Sequence, residues 1–304
     1  MASSLPFHLA VALLLLLVHQ HAAEELRAFD FDKKVASFVE DLSKTHKQKV
    51  MWWDIHGEHK RIQENLEKYG HESGCINACT HRYKVSVTAE AVKYGAAKIA
   101  SMTPNVAYTQ WAHNGQPSSA QQVSVKRRTQ RVKSATWQTQ TAFSSSFNLK
   151  AAAKIPAVTN FQTQVQAALD LKTARGGHHS ETEEFTVHEV VNVPPMKSVK
   201  IEWIITDVVQ EIPWTAEVIA SGWVALWFEN KVDNHWMWFY PVSSLRDPLL
   251  KNIGNNSVQF TAKGVLTLSN AQEGHLRVTE FDLQQYAGKP SPIRTYTIPL
   301  KLTQ

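Results

Sequence analysis

The sequence predicts a mostly β fold with a small α-containing N-terminal lobe. Three observations carry this. The chain is rich in Thr, Val, Ser and Gln and holds 12 Gly in 304 residues, a composition that favours pleated strands over helix bundles. From about Gln116 to the C-terminus, apolar and polar residues alternate with period 2. Helical periodicity is confined to the first third. Hydrophobic residues make up 43% and charged residues 19%, so the chain is globular rather than disordered, with enough length for one large or two medium domains.

Leu9 to Val18 is an uninterrupted apolar run, followed by Ala22-Ala23 and then Glu24-Glu25. It is too short to span a bilayer, which needs about 20 residues. It has the form of a secretory signal peptide over residues 1–23, cleaved after Ala23, although it lacks the usual Lys or Arg at its start. The alternative is a buried N-terminal helix. Residues 1–23 contain no charged side chain, so the mature chain keeps the formal net charge of +5. This mild basicity suits anionic cell surfaces and is too small to imply nucleic acid.

In the mature chain, Phe31, Val35, Phe38, Val39 and Leu42 recur at helical spacing, as do Ile55, His59, Ile62, Leu66 and Tyr69. Both predict short amphipathic helices. Cys75 and Cys79 are the two cysteines. In a secreted chain they suggest a disulfide across a turn, with free buried thiols or metal ligation as alternatives. Asn255-Asn256-Ser257 is a glycosylation sequon at Asn255. Segment 121–141 carries Lys126, Arg127, Arg128, Arg131 and Lys133; these form a solvated strand face, a processing site or a headgroup contact.

Segment 143–172 is the most informative stretch. Its outbound arm places Phe143, Phe147, Leu149, Ala151, Ala153 and Ile155 at odd positions, with Asn148, Lys150 and Lys154 between them. Pro156 to Asn160 supplies a turn. The return arm places Phe161, Val165, Ala167, Leu169 and Leu171 on one face, against Gln162, Gln164, Gln166, Asp170 and Lys172 on the other. Side chains alternate across a strand, so each arm presents one oily and one wet face. Each arm reaches the roughly 9–11 residues that a membrane β-strand requires. Any half-buried strand pair of a soluble β protein alternates in the same way. Ala151, Ala152 and Ala153 make a weak soluble core, which favours the membrane reading. A single hairpin leaves its edge N–H and C=O groups unpaired in hydrocarbon, so membrane insertion would require several copies to close a barrel.

From Gln116 onward the chain resembles the aerolysin superfamily, most closely its epsilon-toxin and mosquitocidal-toxin branch. The alternating Ser/Thr/Gln-rich tract with its hairpin comes first. Val193-Pro194-Pro195-Met196-Lys197-Ser198-Val199-Lys200 follows, and then Ile212-Pro213-Trp214-Thr215-Ala216-Glu217-Val218-Ile219-Ala220-Ser221-Gly222. The prolines fit edge or entry positions of strands. The resemblance implies an elongated twisted sheet, with residues 24–115 as a head that binds a receptor and 116–304 as the pore-forming module. It also implies a homo-oligomeric ring, typically a heptamer, and no cofactor. Residues 24–115 match no receptor lobe of the family, and the chain stops soon after its last strand, where family members often carry an activation peptide.

Trp223, Trp227, Trp236, Trp238, Phe239 and Tyr240 crowd one segment, and Trp236, Trp238 and Tyr240 are spaced for one strand face. Together with Trp52 and Trp53 they are core aromatics or a receptor or lipid contact. Among the 14 histidines, His56 and His59 lack a third ligand and no zinc-protease motif occurs. His178 and His179 lie beside Glu181, Glu183 and Glu184, so the segment is either an acid sensor or a solvated loop after Gly176-Gly177. No nucleophile elbow or phosphate loop occurs, so catalysis is not expected. The expectation is a secreted, non-enzymatic cytolysin whose partners are a target-cell membrane and an unidentified glycan or protein receptor. The alternative is a non-lytic, lectin-like glycan-binding protein of the same shape.

Overall fold

The computed structural model describes residues 27–59, 84–156, 166–283 and 291–300. The signal-peptide segment, Cys75, Cys79, Phe161, Gln162, Gln164 and Val165 lie outside the described residues. So does most of the second helical signal, whose first member, Ile55, sits in a bend after a strand rather than in a helix.

The chain opens with β1 (Arg27–Asp30) and α1 (Phe31–His46), then β2 (Val50–Asp54). The first helical signal is therefore realised. Asp30 caps α1, its carboxylate accepting from the Lys33 amide at 2.9 Å, and Lys47 ends it in the left-handed conformation. Phe31, Val35 and Val39 form its buried stripe.

The body is built on two very long antiparallel strands, β10 (Lys197–Ser221) and β14 (Ser257–Asp282), paired from Lys197↔Asp282 to Ser221↔Ser257. At about 3.3 Å per residue, 25 residues of β10 extend for roughly 80 Å, which gives the molecule its elongated frame. On the β10 side lie β3 (Ser86–Ala89), β4 (Lys93–Tyr94) and β5 (Lys98–Asn114). On the β14 side lie β6 (Gln121–Ser144), β13 (Leu250–Gly254) and β15 (Arg294–Leu300). The remaining long strand, β9 (Arg175–Val193), pairs with β6. His178 and His179 are thus inside a strand, not in a loop.

Two apolar cores line this frame. One holds Val199, Ile201, Trp203 and Ile205 of β10 with Phe185, Val187 and Val191 of β9. The other holds Ile212, Trp214, Ala216, Val218 and Ala220 of β10 with Phe29, Phe31, Trp137 and Phe260. The inward positions of β10 are odd in the first core and even in the second. Successive side chains of a strand point to opposite faces, so the cores lie on opposite faces of the β10–β14 ribbon. The switch falls at the bulge beside Thr206/Asp207, where β14 carries an extra residue. Charged groups fill the region around it. Lys133, 2% exposed, pairs with Glu183 and reaches Glu181 at 3.7 Å, and Arg131 faces Asp207 at 3.8 Å.

Pro213 is not at a strand edge or entry as expected. It sits inside β10, at the gap between β4 and β5, where its missing N–H leaves no ladder partner wanting. Gly222 follows β10 with φ +122°, and a Cβ there would lie 2.1 Å from the Lys84 carbonyl oxygen. This kink sends the chain out of the long sheet into β11 (Trp223–Val232) and β12 (His235–Pro241), which join β2 in a separate three-stranded sheet. Strand pairing runs across residue 116: β3 to β5, which precede it, belong to the long sheet, and β11 and β12, which follow it, pair with β2.

Candidate functional site: a stored amphipathic hairpin

After β6, the chain forms β7 (Lys150–Lys154) and β8 (Gln166–Asp170), which among the described residues pair only with each other, Ala152 opposite Ala168. The alternation read from the sequence is realised over the described part of 143–172. Phe143, Leu149, Ala151, Ala153, Leu169 and Leu171 are at most 3% exposed. Phe147, Ile155 and Ala167 are partly buried against the same core. Phe143 lies 5.7 Å from the rings of Phe29 and Phe31 and 5.4 Å from Phe260. On the opposite face, Asn148, Lys150, Lys154 and Gln166 are exposed, and Asp170 and Lys172 are half-exposed.

Among the described residues, the hairpin's backbone meets the body at its start, where Phe143 and Ser144 pair with β1, and at β7, where the Val92 amide donates to the Ala152 carbonyl at 2.9 Å; the Phe143 amide donates to the Leu171 carbonyl at 3.0 Å within the hairpin. Apolar burial, which is non-directional, supplies most of the attachment. At the bend between β6 and β7, two side chains of the N-terminal lobe add a latch. The Asp32 carboxylate accepts from the Ser146 amide at 2.6 Å, while His56 Nε2 lies 2.8 Å from Ser146 Oγ and its ring 4.6 Å from that of Phe147. Neither Asp32 nor His56 is marked by any sequence motif; only the fold brings them to Ser146. Asp32→Ala removes a charge-assisted bond, with an expected weakening of about 1–2 kcal/mol. Hydrogen exchange of residues 145–154 should accelerate several-fold; unchanged exchange would show that the latch holds nothing.

The head sheet carries the aromatic residues on two faces rather than one. Trp238 and Tyr240 turn toward α1, Tyr240 meeting Phe38 edge-on at 5.7 Å and Trp238 lying 6.5 Å from His46. Trp53 packs partly buried against that same core. Trp236, expected beside them, instead stacks on Trp227 at 5.9 Å, and Trp227 stacks on Trp52 at 6.2 Å on the other side of the sheet. Trp236 is the second residue of β12, where the ladder to β11 is interrupted between Trp227 and Val232, so its side chain is not held to the alternation. Lys231 Nζ covers the Trp236 ring at 4.1 Å and His59 stacks on Trp52 at 4.4 Å.

Asn255 is exposed in the turn joining β13 and β14. His179 Nε2 lies 3.1 Å from the Glu181 carboxylate, and His178 Nδ1 lies 2.9 Å from Thr136 Oγ1. Among the described residues no group of His, Cys, Asp and Glu is arranged to hold a metal.

A long β-ribbon with a two-faced hairpin beside a small aromatic sheet is the architecture of the aerolysin-type class of β protein. Residues 76–291 match the family described as Clostridium epsilon toxin ETX/Bacillus mosquitocidal toxin MTX2. The chain belongs to that family. A cytotoxin of Pseudomonas aeruginosa is 26% identical over 116 residues, which is 36% of this chain and 41% of that protein, so the match spans less than half of the relative. Among solved structures, a non-toxic crystal protein from Bacillus thuringiensis aligns with TM-score 0.54 at 12% identity, over 84% of this chain and 98% of that one. The parasporin-2 Bacillus thuringiensis toxin that recognizes cancer cells aligns with TM-score 0.51 at 15% identity, over 88% and 92%. At such identities the likeness shows the fold alone.

Proposed function

We propose that this protein is a secreted cytolysin that binds a target-cell surface, assembles into a ring and inserts residues 143–172 as a transmembrane hairpin. The observation that supports this most is the hairpin itself. Its apolar face is hidden on the body by side-chain packing, while its described strands β7 and β8 pair with each other and not with the long sheet. In the inserted state Phe143, Phe147, Leu149, Ala151, Ala153, Ile155, Phe161, Val165, Ala167, Leu169 and Leu171 face lipid. Asn148, Lys150, Lys154, Gln162, Gln164, Gln166, Asp170 and Lys172 line the lumen. Each edge of the hairpin needs a partner in hydrocarbon, so neighbouring copies supply it. Trp52, Trp53, Trp236, Trp238 and Tyr240 belong to the lobe that meets the receptor or lipid surface.

Three lysines against Asp170 give the lumen net positive charge, so single-channel recordings should show slight anion preference; marked cation selectivity would contradict the lumen assignment. The test of the function is dye release by the purified protein from vesicles containing extracted cell-membrane lipids and receptors. Leakage supports the cytolysin. Binding without leakage supports the lectin-like reading, which gains substance from the non-toxic Bacillus thuringiensis protein of the same fold: a frame of this shape does not by itself confer lysis.

A further inference from the structure

A groove runs between α1 and the segment that follows β12. It has two adjoining lobes of about 460 Å³ each. Phe38 and Tyr240 line one lobe, Leu245, Pro248 and Leu250 the other, and Arg246 and Asn252 line both. These volumes fall in the range of small-ligand sites.

The polar groups there divide sharply. Asp247, the carboxylate of the groove, is already neutralised: Lys34 Nζ lies 3.2 Å away and the Leu249 amide donates to it at 3.0 Å. Ser243 Oγ donates to the Asn255 carbonyl at 2.5 Å. By contrast, the side chains of Ser244, Arg246 and Asn252 make no hydrogen bond or ion pair among the described residues. One guanidinium, one hydroxyl and one carboxamide, without partners among the described residues, thus line the same lobe as the Phe38–Tyr240 aromatic pair. A guanidinium binds a carboxylate or phosphate through paired N–H donors. A carboxamide and a hydroxyl match vicinal hydroxyls, and aromatic faces and edges suit the apolar side of a pyranose ring.

We propose that this groove binds an acidic sugar, its ring beside Tyr240 and Phe38 and its carboxylate or phosphate on Arg246. The site gives the surface-binding role proposed above a ligand chemistry, and it rests on that reading only for its biological setting. The Tyr240 hydroxyl, pushed above its ordinary pKa chiefly by burial and also by the Asp233 charge, stays protonated at neutral pH and lies 3.4 Å from His46 Nε2, so the ring rather than the hydroxyl is what Tyr240 offers a ligand.

The test is calorimetric or NMR titration of the purified protein, without membranes, with 3′-sialyllactose, mannose 6-phosphate, lactose, mannose and inorganic phosphate. At least one acidic sugar should bind ten-fold or more tightly than its neutral counterpart and than inorganic phosphate, the contrast between the two acids identifying carboxylate or phosphate. Arg246→Gln should remove about ten-fold or more of that affinity, the weight of a charge-assisted bond. Arg246 is exposed and has no partner among the described residues, so the variant should fold, with circular dichroism as the check. Lys251→Gln, one strand position before Asn252 and alternating to the other face, should change nothing. Equal binding of neutral sugars, phosphate binding as tight as the acidic sugars, or undiminished binding by Arg246→Gln would each overturn the proposal, as would no binding at all. Because no bilayer is present, any of these failures leaves the pore reading standing, and absence of vesicle leakage leaves the groove standing.

Discussion

Ala167→Arg is expected to leave the soluble protein folded and membrane-bound while slowing vesicle leakage by at least about 100-fold. Ala167 is half-buried and sits opposite Ala153 in the β7–β8 register. In water, a long Arg stem at such a site can lay its methylenes along the core and keep its charge in solvent. In the proposed barrel the same position faces lipid near the bilayer midplane, where Arg costs about 2–4 kcal/mol per copy. A ring repeats that penalty in every protomer, so even the low end of the range stops insertion. Phe147→Asp offers a second probe on the outbound arm, but Phe147 packs near Phe31 and His56, so its effect mixes latch release with lipid exclusion. Leakage by Ala167→Arg at the wild-type rate, from a protein shown to be folded, would remove Ala167 from the lipid face and with it the register of the hairpin.

Gly264→Ala is expected to lower thermal stability by roughly 3 kcal/mol or to prevent folding. Gly264 lies in β14 beside the bulge against β6 and opposite Trp214. A Cβ there would stand 2.0 Å from the Gln138 carbonyl oxygen and 2.4 Å from the Trp214 ring. The first contact is backbone and cannot swing aside, and Trp214 is 1% exposed in the core beneath the hairpin. Overpacking of this kind costs about 1–3 kcal/mol, and more where backbone must move. With about 2–4 °C lost per kcal/mol in a chain of this size, thermal melts should fall by about 10 °C. A variant that melts with the wild type would mean that β6 and β14 separate there more easily than their packing indicates.

Much of the frame was legible in the chain. The period-2 tracts became β6, β9, β10 and β14, and the spacing from Phe31 to Leu42 became α1. The parity of 143–172 predicted which side chains are buried at every described position from Leu149 to Ala153. Other readings failed for identifiable reasons. Pro213 suggested an edge, but a break between two neighbouring strands accommodates it in the interior. Trp236, Trp238 and Tyr240 shared a parity, but alternation holds only where a ladder holds the backbone, and Trp236 lies where that ladder is interrupted. The groove around Arg246 had no sequence signal, since Phe38 and Arg246 are more than 200 positions apart and meet only through packing.

By itself, the sequence determined what depends on nearest neighbours along the chain: strand, helix and the two faces of the hairpin, all consequences of side-chain alternation and periodicity. Only the tertiary structure decided which core each face meets. It placed two cores on opposite faces of one ribbon, set Asp32 and His56 on Ser146, and brought Arg246 to the groove that Tyr240 lines. These depend on contacts between distant residues, which local periodicity cannot encode.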